Sequence, residues 1–291
     1  MKYRYFWANL VLFMIFILSL ISCQKQNLKP GIPAFLRIDT IYLSTDYSTE
    51  GTNSHKITDV WLYINDQRTG AWEMPALIPV LMDGKAKLRL EAGIKVNGIA
   101  TTRVNSPFFD PYIDTAFVFA PDSIISISPV THYRDQVKFA WMEDFEDNAL
   151  SIDTANLSGV TDIVLSTADE AFEGFHSGVI YLDTTFNFYE GATFEPFELP
   201  VDGSPIVLEM DYKTVIVFEV GIFAESTSNL VKKPVLYVNP QQTWNKIYIN
   251  LSDAVFENNF TEEFKIYFRA GIYDEFTEAV VCLDNIKVVY K

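Results

Sequence analysis

Carboxylates and aromatic rings, rather than imidazoles or activated nucleophiles, are the side chains of this 291-residue sequence that fall into chemically useful patterns. The three histidines, His55, His132 and His176, show neither the HxxxH nor the HxH spacing that brings two imidazoles onto one zinc ion. A GxSxG elbow and a GxxxxGK[ST] phosphate loop are both missing, which counts against the hydrolases and nucleotide enzymes built on them. Glu209 and Asp211 stand two residues apart, so on a strand they share a face. Glycoside cleavage would need such groups as an acid and a base or nucleophile across a cleft. In Phe186-Asn187-Phe188-Tyr189-Glu190-Gly191 and Tyr273-Asp274-Glu275-Phe276, aromatic residues are mixed with turn formers. Phe188, Tyr189, Tyr273 and Phe276 are therefore expected in exposed loops, where a flat ring rimmed by carboxylates and amides can stack on the C–H face of a sugar. Closing the ends of a β-sandwich is the other use for such rings.

The elements that would position these groups read as strands almost throughout. Phe35 to Leu43, Val60 to Ile64, Lys87 to Glu91, Thr115 to Ala120 and Ile124 to Ser128 are short and rich in β-branched and aromatic residues. Asn65-Asp66-Gln67 and Asp83-Gly84 are turn signals. The pattern loses its apolar runs between Pro129 and Gln136, which places a boundary there. Strand-like segments resume at Val137 to Trp141, Ile163 to Ser166, Gly178 to Leu182, Ile206 to Tyr212 and Val215 to Phe223. Pro234 to Val238, Lys246 to Leu251, Phe264 to Arg269 and Ala279 to Tyr290 complete them. No long amphipathic helical period appears. An all-β chain with an antiparallel sandwich or barrel in its second half is the expected fold class.

At the N-terminus, Lys2 and Arg4 precede an apolar run from Leu10 to Leu18, then Leu20-Ile21-Ser22-Cys23. Residues 1–22 read as a cleavable signal peptide, since the run is short of the about 20 apolar residues that span a bilayer. The segment resembles the lipobox of bacterial lipoproteins, which implies acylation of the Cys23 thiol and a membrane partner through that lipid. Polar residues up to Pro33, with two prolines and a glycine, then form a tether over 23–33. An acidic, aromatic-rich β chain behind a lipobox resembles lipoproteins of the Bacteroidetes and implies an outer-membrane location. Gln24-Lys25-Gln26-Asn27 carries no acidic residue, leaving the periplasmic and the surface face both open. With Cys23 acylated, Cys282 has no partner for an intramolecular disulfide and reads as a small core residue. The net charge of −16 becomes −18 once Lys2 and Arg4 are removed, which repels nucleic acid and anionic headgroups.

Several segments after residue 136 resemble, in order, the jelly-roll β-sandwich of carbohydrate-binding modules. They are Phe145-Glu146-Asp147, the bend Gly174-Phe175-His176-Ser177-Gly178, the strand Leu208 to Lys213, the tryptophan-led strand Thr243 to Leu251, and the closing Leu283-Asp284-Asn285-Ile286. The resemblance implies a jelly roll over 136–291, with Trp244 packed against the core. It also implies a structural calcium held by Glu146 and Asp284 that clamps the first and last strands. Asp284 serves equally well as a turn cap. Residues 34–135 resemble immunoglobulin-like and carboxypeptidase-regulatory-like β domains through Val60 to Gln67 and Pro75 to Lys85. Glu209-Met210-Asp211-Tyr212-Lys213-Thr214 is similar to the Glu-x-Asp-x-x-Glu strand of laminarinase-like sandwich enzymes, but Thr214 replaces the last glutamate. A hydrolase is therefore disfavoured. The leading expectation is a non-catalytic envelope lipoprotein that binds a glycan or another envelope component. A scaffolding lipoprotein that binds envelope proteins is the alternative.

Overall fold

The computed structural model describes residues 31–147, 149–154, 160–226, 229–273 and 276–291, so Cys23, the signal segment, Asp274 and Glu275 lie outside the described residues. The first half contains β1 (Ala34–Ile38), β2 (Tyr42–Leu43), α1 (Tyr47–Glu50), β3 (Asp59–Ile64), β4 (Gln67–Glu73) and β5 (Ala76–Val80). It continues with β6 (Gly84–Lys95), β7 (Arg103–Asn105), β8 (Tyr112–Phe119), β9 (Ile124–Ile127) and β10 (Val130–Thr131). Asn65 and Asp66 take positive φ (50° and 63°) between β3 and β4, the backbone a two-residue hairpin needs and one that Asn and Asp tolerate. Sheet β5-β1-β9 faces sheet β4-β3-β6-β7, in which β8 also pairs with β6. Between them, Leu36, Ile38, Val60, Leu62, Leu88 and Leu90 are buried in one cluster. Strand β1 pairs with β9, and β2 with β10, in parallel, each joining segments far apart in the chain.

The second half is a sandwich whose strands pair antiparallel. It comprises β11 (Lys138–Glu143), β12 (Ile152–Thr154), β13 (Ile163–Leu165), β14 (Gly178–Asp183), β15 (Phe188–Thr193) and β16 (Phe197–Glu198). Next come β17 (Ile206–Thr214), β18 (Phe218–Ser226), β19 (Asn229–Val238), β20 (Gln241–Asn250), α2 (Ser252–Glu257), β21 (Glu263–Gly271) and β22 (Glu278–Tyr290). One sheet runs β13-β14-β22-β17-β20 with β11 beside β22, and the other runs β12-β15-β21-β18-β19 with β16 beside β21. We call them the junction sheet and the open sheet. Alternation on β17, β18, β21 and β22 sends Leu208, Met210, Val220, Ile222, Ile266, Phe268, Val281 and Leu283 into the shared core. The chain is thus all-β, with an immunoglobulin-like sandwich followed by a jelly-roll sandwich.

Two expected elements differ. Val215 to Phe223 is not one strand: β17 runs on to Thr214, whose hydroxyl caps the turn at Ile216 (3.1 Å), and β18 begins at Phe218. The aromatic segment around Phe188 is not a loop but β15.

The first half covers the middle of the junction sheet. Val207, Tyr248 and Val289, on its outer face, belong to the first half's core cluster. The Asn97 amide donates to the Tyr248 carbonyl (2.7 Å), and the Asn250 amide donates to Asn97 Oδ1 (2.9 Å). Beneath this seam lies a buried polar row. Tyr133 donates to Glu209 (3.1 Å), Ser54 donates to Asp211 (2.6 Å), and Lys287 Nζ donates to the Thr52 carbonyl (2.5 Å). Glu209 and Asp211 share a face, as alternation requires, but that face is roofed over. These carboxylates bond across the junction of the two halves.

Candidate functional site

Among the described residues, the first half packs on the junction sheet and leaves the outer face of the open sheet uncovered. On β15, Phe188 and Glu190 point outward while Tyr189 and Gly191 are buried. On β21, Lys265, Tyr267, Arg269 and Gly271 alternate with core residues Phe264, Ile266, Phe268 and Ala270. Strand β18 contributes Glu219, Gly221 and Phe223, and the edge strand β19 contributes Lys232 and Tyr237. Four strands, the β18–β19 hairpin together with β15 and β21, thus place aromatic and charged groups in one field.

A single charged network orders that field. Tyr267 faces outward yet is fully buried, because its ring lies across Gly221, beside Phe223 (centroids 5.0 Å apart) and beneath the Lys232 ammonium (4.6 Å). Its hydroxyl donates to Glu219. Burial, then the hydrogen bond to Glu219, pushes the Tyr267 phenol well above its ordinary pKa. Lys232 bonds Glu190 at 2.6 Å. Arg269 lies over the Phe188 ring (5.1 Å) and stands 3.7 Å from Glu190 and 3.8 Å from Glu219. At these longer separations Arg269, 44% exposed at its side chain, keeps N–H groups free for an incoming acceptor.

At one end of the field, Phe188, Val217, Glu219, Tyr237, Arg269 and Tyr273 line a concavity of about 270 Å³. Tyr237 and Tyr273 are 62% and 78% exposed, so these phenols are the accessible ring faces. The negative charge of Glu219 raises the Tyr237 pKa, which keeps its hydroxyl a donor. Rings for apolar C–H faces therefore surround a carboxylate and a guanidinium able to bond hydroxyls. Both carboxylates are already engaged, Glu190 by Lys232 and Glu219 by Tyr267, as fixed acceptors rather than a free acid and base. A larger concavity of about 350 Å³ lies where the halves meet, beside Tyr47, Met142, Glu143 and Lys287. There Glu143 is tied to the Phe145 and Ser151 amides (2.9 and 2.8 Å) and Lys287 to the Thr52 carbonyl.

Of the rings expected to bind, Phe188 and Tyr273 enter the concavity. Phe276 is 41% exposed, its amide donates to the Tyr273 carbonyl (2.9 Å), and it does not line the concavity. Tyr189 is corrected: strand alternation turns it inward, and its side chain is fully buried in the sandwich core. Among the described residues, no group meets hydrogen-bond geometry with its buried hydroxyl. Tyr189→Phe should therefore leave stability within about 1 kcal/mol of the parent, or raise it, whereas Tyr189→Ala should cost about 3–5 kcal/mol in urea unfolding. A large loss in the phenylalanine variant would show that the hydroxyl is bonded, and a small loss in the alanine variant would contradict the burial of the ring.

Trp244 is also corrected. It stands half-exposed on the outer face of the junction sheet, against Phe172 (5.4 Å) and with Lys213 over its ring (5.2 Å), outside the core. Glu146 and Asp284 lie at one corner, but hydrogen-bond donors engage both. Glu146 accepts the Phe175 and His176 amides (2.8 and 3.0 Å), and Asp284 accepts the Ser177 hydroxyl (2.6 Å). Burial first of all raises the Asp284 pKa to about 7. Among the described residues no three Asp, Glu, His or Cys side chains gather as metal ligands. Calcium takes a cage of several oxygens, and here both carboxylates already accept from protein N–H and O–H groups.

Tyr237, Glu219, Arg269 and Lys232 were not singled out from sequence. The local signal was the polar-or-aromatic alternation Lys265, Tyr267, Arg269 on a strand whose other positions are apolar.

No protein family matches the chain, and no curated protein matches it. Among solved structures it is similar to the family 11 carbohydrate-binding module from Clostridium thermocellum in complex with a β-1,3-1,4-mixed-linked tetrasaccharide, at 16% identity and a TM-score of 0.35, over 50% of this chain and 93% of that one. The family 30 carbohydrate-binding module of a cellulosomal cellulase of Clostridium thermocellum gives 15% identity and a TM-score of 0.36, over 46% and 84%. The K3 cleaved adhesin domain of Lys-gingipain from Porphyromonas gingivalis gives 14% and 0.34, over 53% and 98%. These likenesses cover about half of the chain at low identity, and what those proteins bind is theirs alone.

Proposed function

We propose that this chain is a non-catalytic glycan-binding protein of the cell envelope, whose ligand lies on the outer face of the open sheet, and that a lipid on Cys23 holds it at the membrane. The observation that carries the binding reading is the concavity in which Phe188, Tyr237 and Tyr273 surround Glu219 and Arg269. A sugar ring is apolar on its C–H faces and polar at its rim, and this site offers both surfaces at once. Tyr237 and Tyr273 supply stacking faces. Arg269 donates to ring or hydroxyl oxygens, and Glu219, held by Tyr267, accepts from hydroxyls. The pairing of Glu190 with Lys232 and Arg269 fixes the floor, so little ordering is needed when a ligand arrives.

The test is titration of the protein with a panel of soluble polysaccharides by calorimetry, beside a Tyr237→Ala, Tyr273→Ala variant. Aromatic anchors at a binding centre are each worth about 2 kcal/mol, so the double variant should bind on the order of 1,000-fold more weakly or not at all. A folded double variant that binds like the parent would remove the site from the open sheet.

A further inference from the structure

A second surface differs from the rest of this acidic molecule. Strands β1, β5 and β9 contain one charged side chain among them, the basic Arg37, in a chain of net charge −16. Their inward residues, among them Leu36, Ile78 and Val80, fill the first half's core. Four of their six outward residues, Phe35, Leu77, Pro79 and Ile124, are nevertheless apolar, and the other two are Arg37 and Ser126. Leu77 is 52% exposed and Ile124 63%, Pro79 is exposed beside Phe35, and Leu81 just beyond β5 is 75% exposed. Ile32, at 62%, extends the patch along the entering chain, where Gly31 passes Leu81. A contiguous apolar face of this kind on an otherwise acidic surface marks a docking surface.

What covers it is indicated by the chain that leads there. Only residues 24–31 separate Cys23 from Ile32. Fully extended, they reach about 30 Å, so a lipid on Cys23 confines this face to the neighbourhood of the bilayer. We infer that the outer face of sheet β5-β1-β9 rests on the membrane interface, with Leu77, Leu81, Ile124 and Ile32 in the headgroup and upper acyl region. This rests on the lipid anchor proposed above. Arg37 is paired with Asp39 just beyond β1 (3.0 Å), so this face carries no net charge, while the acidic surfaces elsewhere are repelled from anionic headgroups. The sheet contributes side chains only, so its backbone need not enter hydrocarbon, where unpaired edges of β5 and β9 would be costly.

The experiment uses the full chain, processed in a Gram-negative host and reconstituted into phosphatidylethanolamine–phosphatidylglycerol vesicles, with the mass of its N-terminal peptide recorded. Bimane is attached at Leu81→Cys and, as a control on the open sheet's edge, at Leu230→Cys, which is exposed at 63%. Doxyl-labelled lipid should quench the probe at position 81 several-fold more than the probe at 230, and Leu77→Glu should abolish the difference. Equal quenching at both positions, in a chain whose mass shows an acylated Cys23, would overturn the docking and leave the anchor standing. An unmodified Cys23 would overturn the anchor and the docking together. A probe at 81 shielded by self-association in the lipid-free chain would assign the face to a second copy and overturn the membrane reading.

Discussion

Gly221→Ala should cost about 1–3 kcal/mol of stability and weaken ligand binding at least tenfold, although residue 221 contributes no side chain to either. A Cβ built at Gly221 would stand 2.4 Å from the Tyr267 ring and 2.5 Å from the Lys233 backbone carbonyl. Neither neighbour can yield cheaply. The Tyr267 ring is wedged between Phe223 and Lys232, and the carbonyl belongs to the paired strand β19. If Tyr267 is lifted, Glu219 loses its hydrogen-bond donor and Lys232 loses the ring beneath it, so the floor of the concavity loosens. Urea unfolding reads the first effect and calorimetry the second. An alanine variant with unchanged midpoint and unchanged affinity would show that the Tyr267 platform does not organise the site.

Between pH 8 and 10 the parent protein should gain stability relative to Lys287→Met, by up to about 3 kcal/mol over the full titration. Lys287 is buried where the two halves meet, with its ammonium 5.4 Å from the Tyr133 ring, and burial is the main cause lowering its pKa from 10.5 to about 8. Glu209, Glu50 and Asp211 oppose that shift, and Lys246 adds to it. In this window the unfolded chain binds the Lys287 proton and the folded chain releases it. Raising the pH therefore favours the folded state, and below about pH 8 the full cost of the buried charge is present. Above pH 10 the raised phenols of Tyr133 and Tyr248 act in the opposite direction, so the comparison belongs below that. The methionine variant loses the bond to the Thr52 carbonyl and leaves Glu209 without its neighbouring cation, which lowers its curve without tilting it. Parallel curves for the two proteins from pH 7 to 10 would contradict a buried, charged Lys287.

The strands were legible wherever a β-branched or aromatic run met a turn former, as at Val60 to Ile64 before Asn65-Asp66. The closing strand, with Asp284-Asn285, marked the end of the second sandwich just as clearly. Strand β15 was missed because Asn187 and Gly191 break up its composition; only the alternation of Phe188, Tyr189 and Glu190 distinguishes it from a loop. That one misreading moved Tyr189 from the core to the surface. The parallel pairing of β1 with β9 left no local trace, because it joins segments separated by most of the first half.

The site follows the same logic. Phe188 and Tyr273 were visible as unusual aromatics, but their neighbours Tyr237, Glu219 and Arg269 lie on β19, β18 and β21, which only the tertiary pairing brings alongside β15. The Glu209 and Asp211 pair was legible as two carboxylates on one face. Their burial under Tyr133 and Ser54 was not, since those residues come from the other half.

The most direct test of the account is the binding of soluble polysaccharides to the Arg269→Ala variant and its parent, measured by calorimetry with urea unfolding run alongside. Arg269 lies over Phe188 and within reach of both floor carboxylates, on the outer face of the open sheet. A polysaccharide should bind the parent and be lost, or weakened at least tenfold, in a variant whose stability is within about 1 kcal/mol of the parent. A polysaccharide bound equally by both proteins would contradict it, as would a folded parent that binds none.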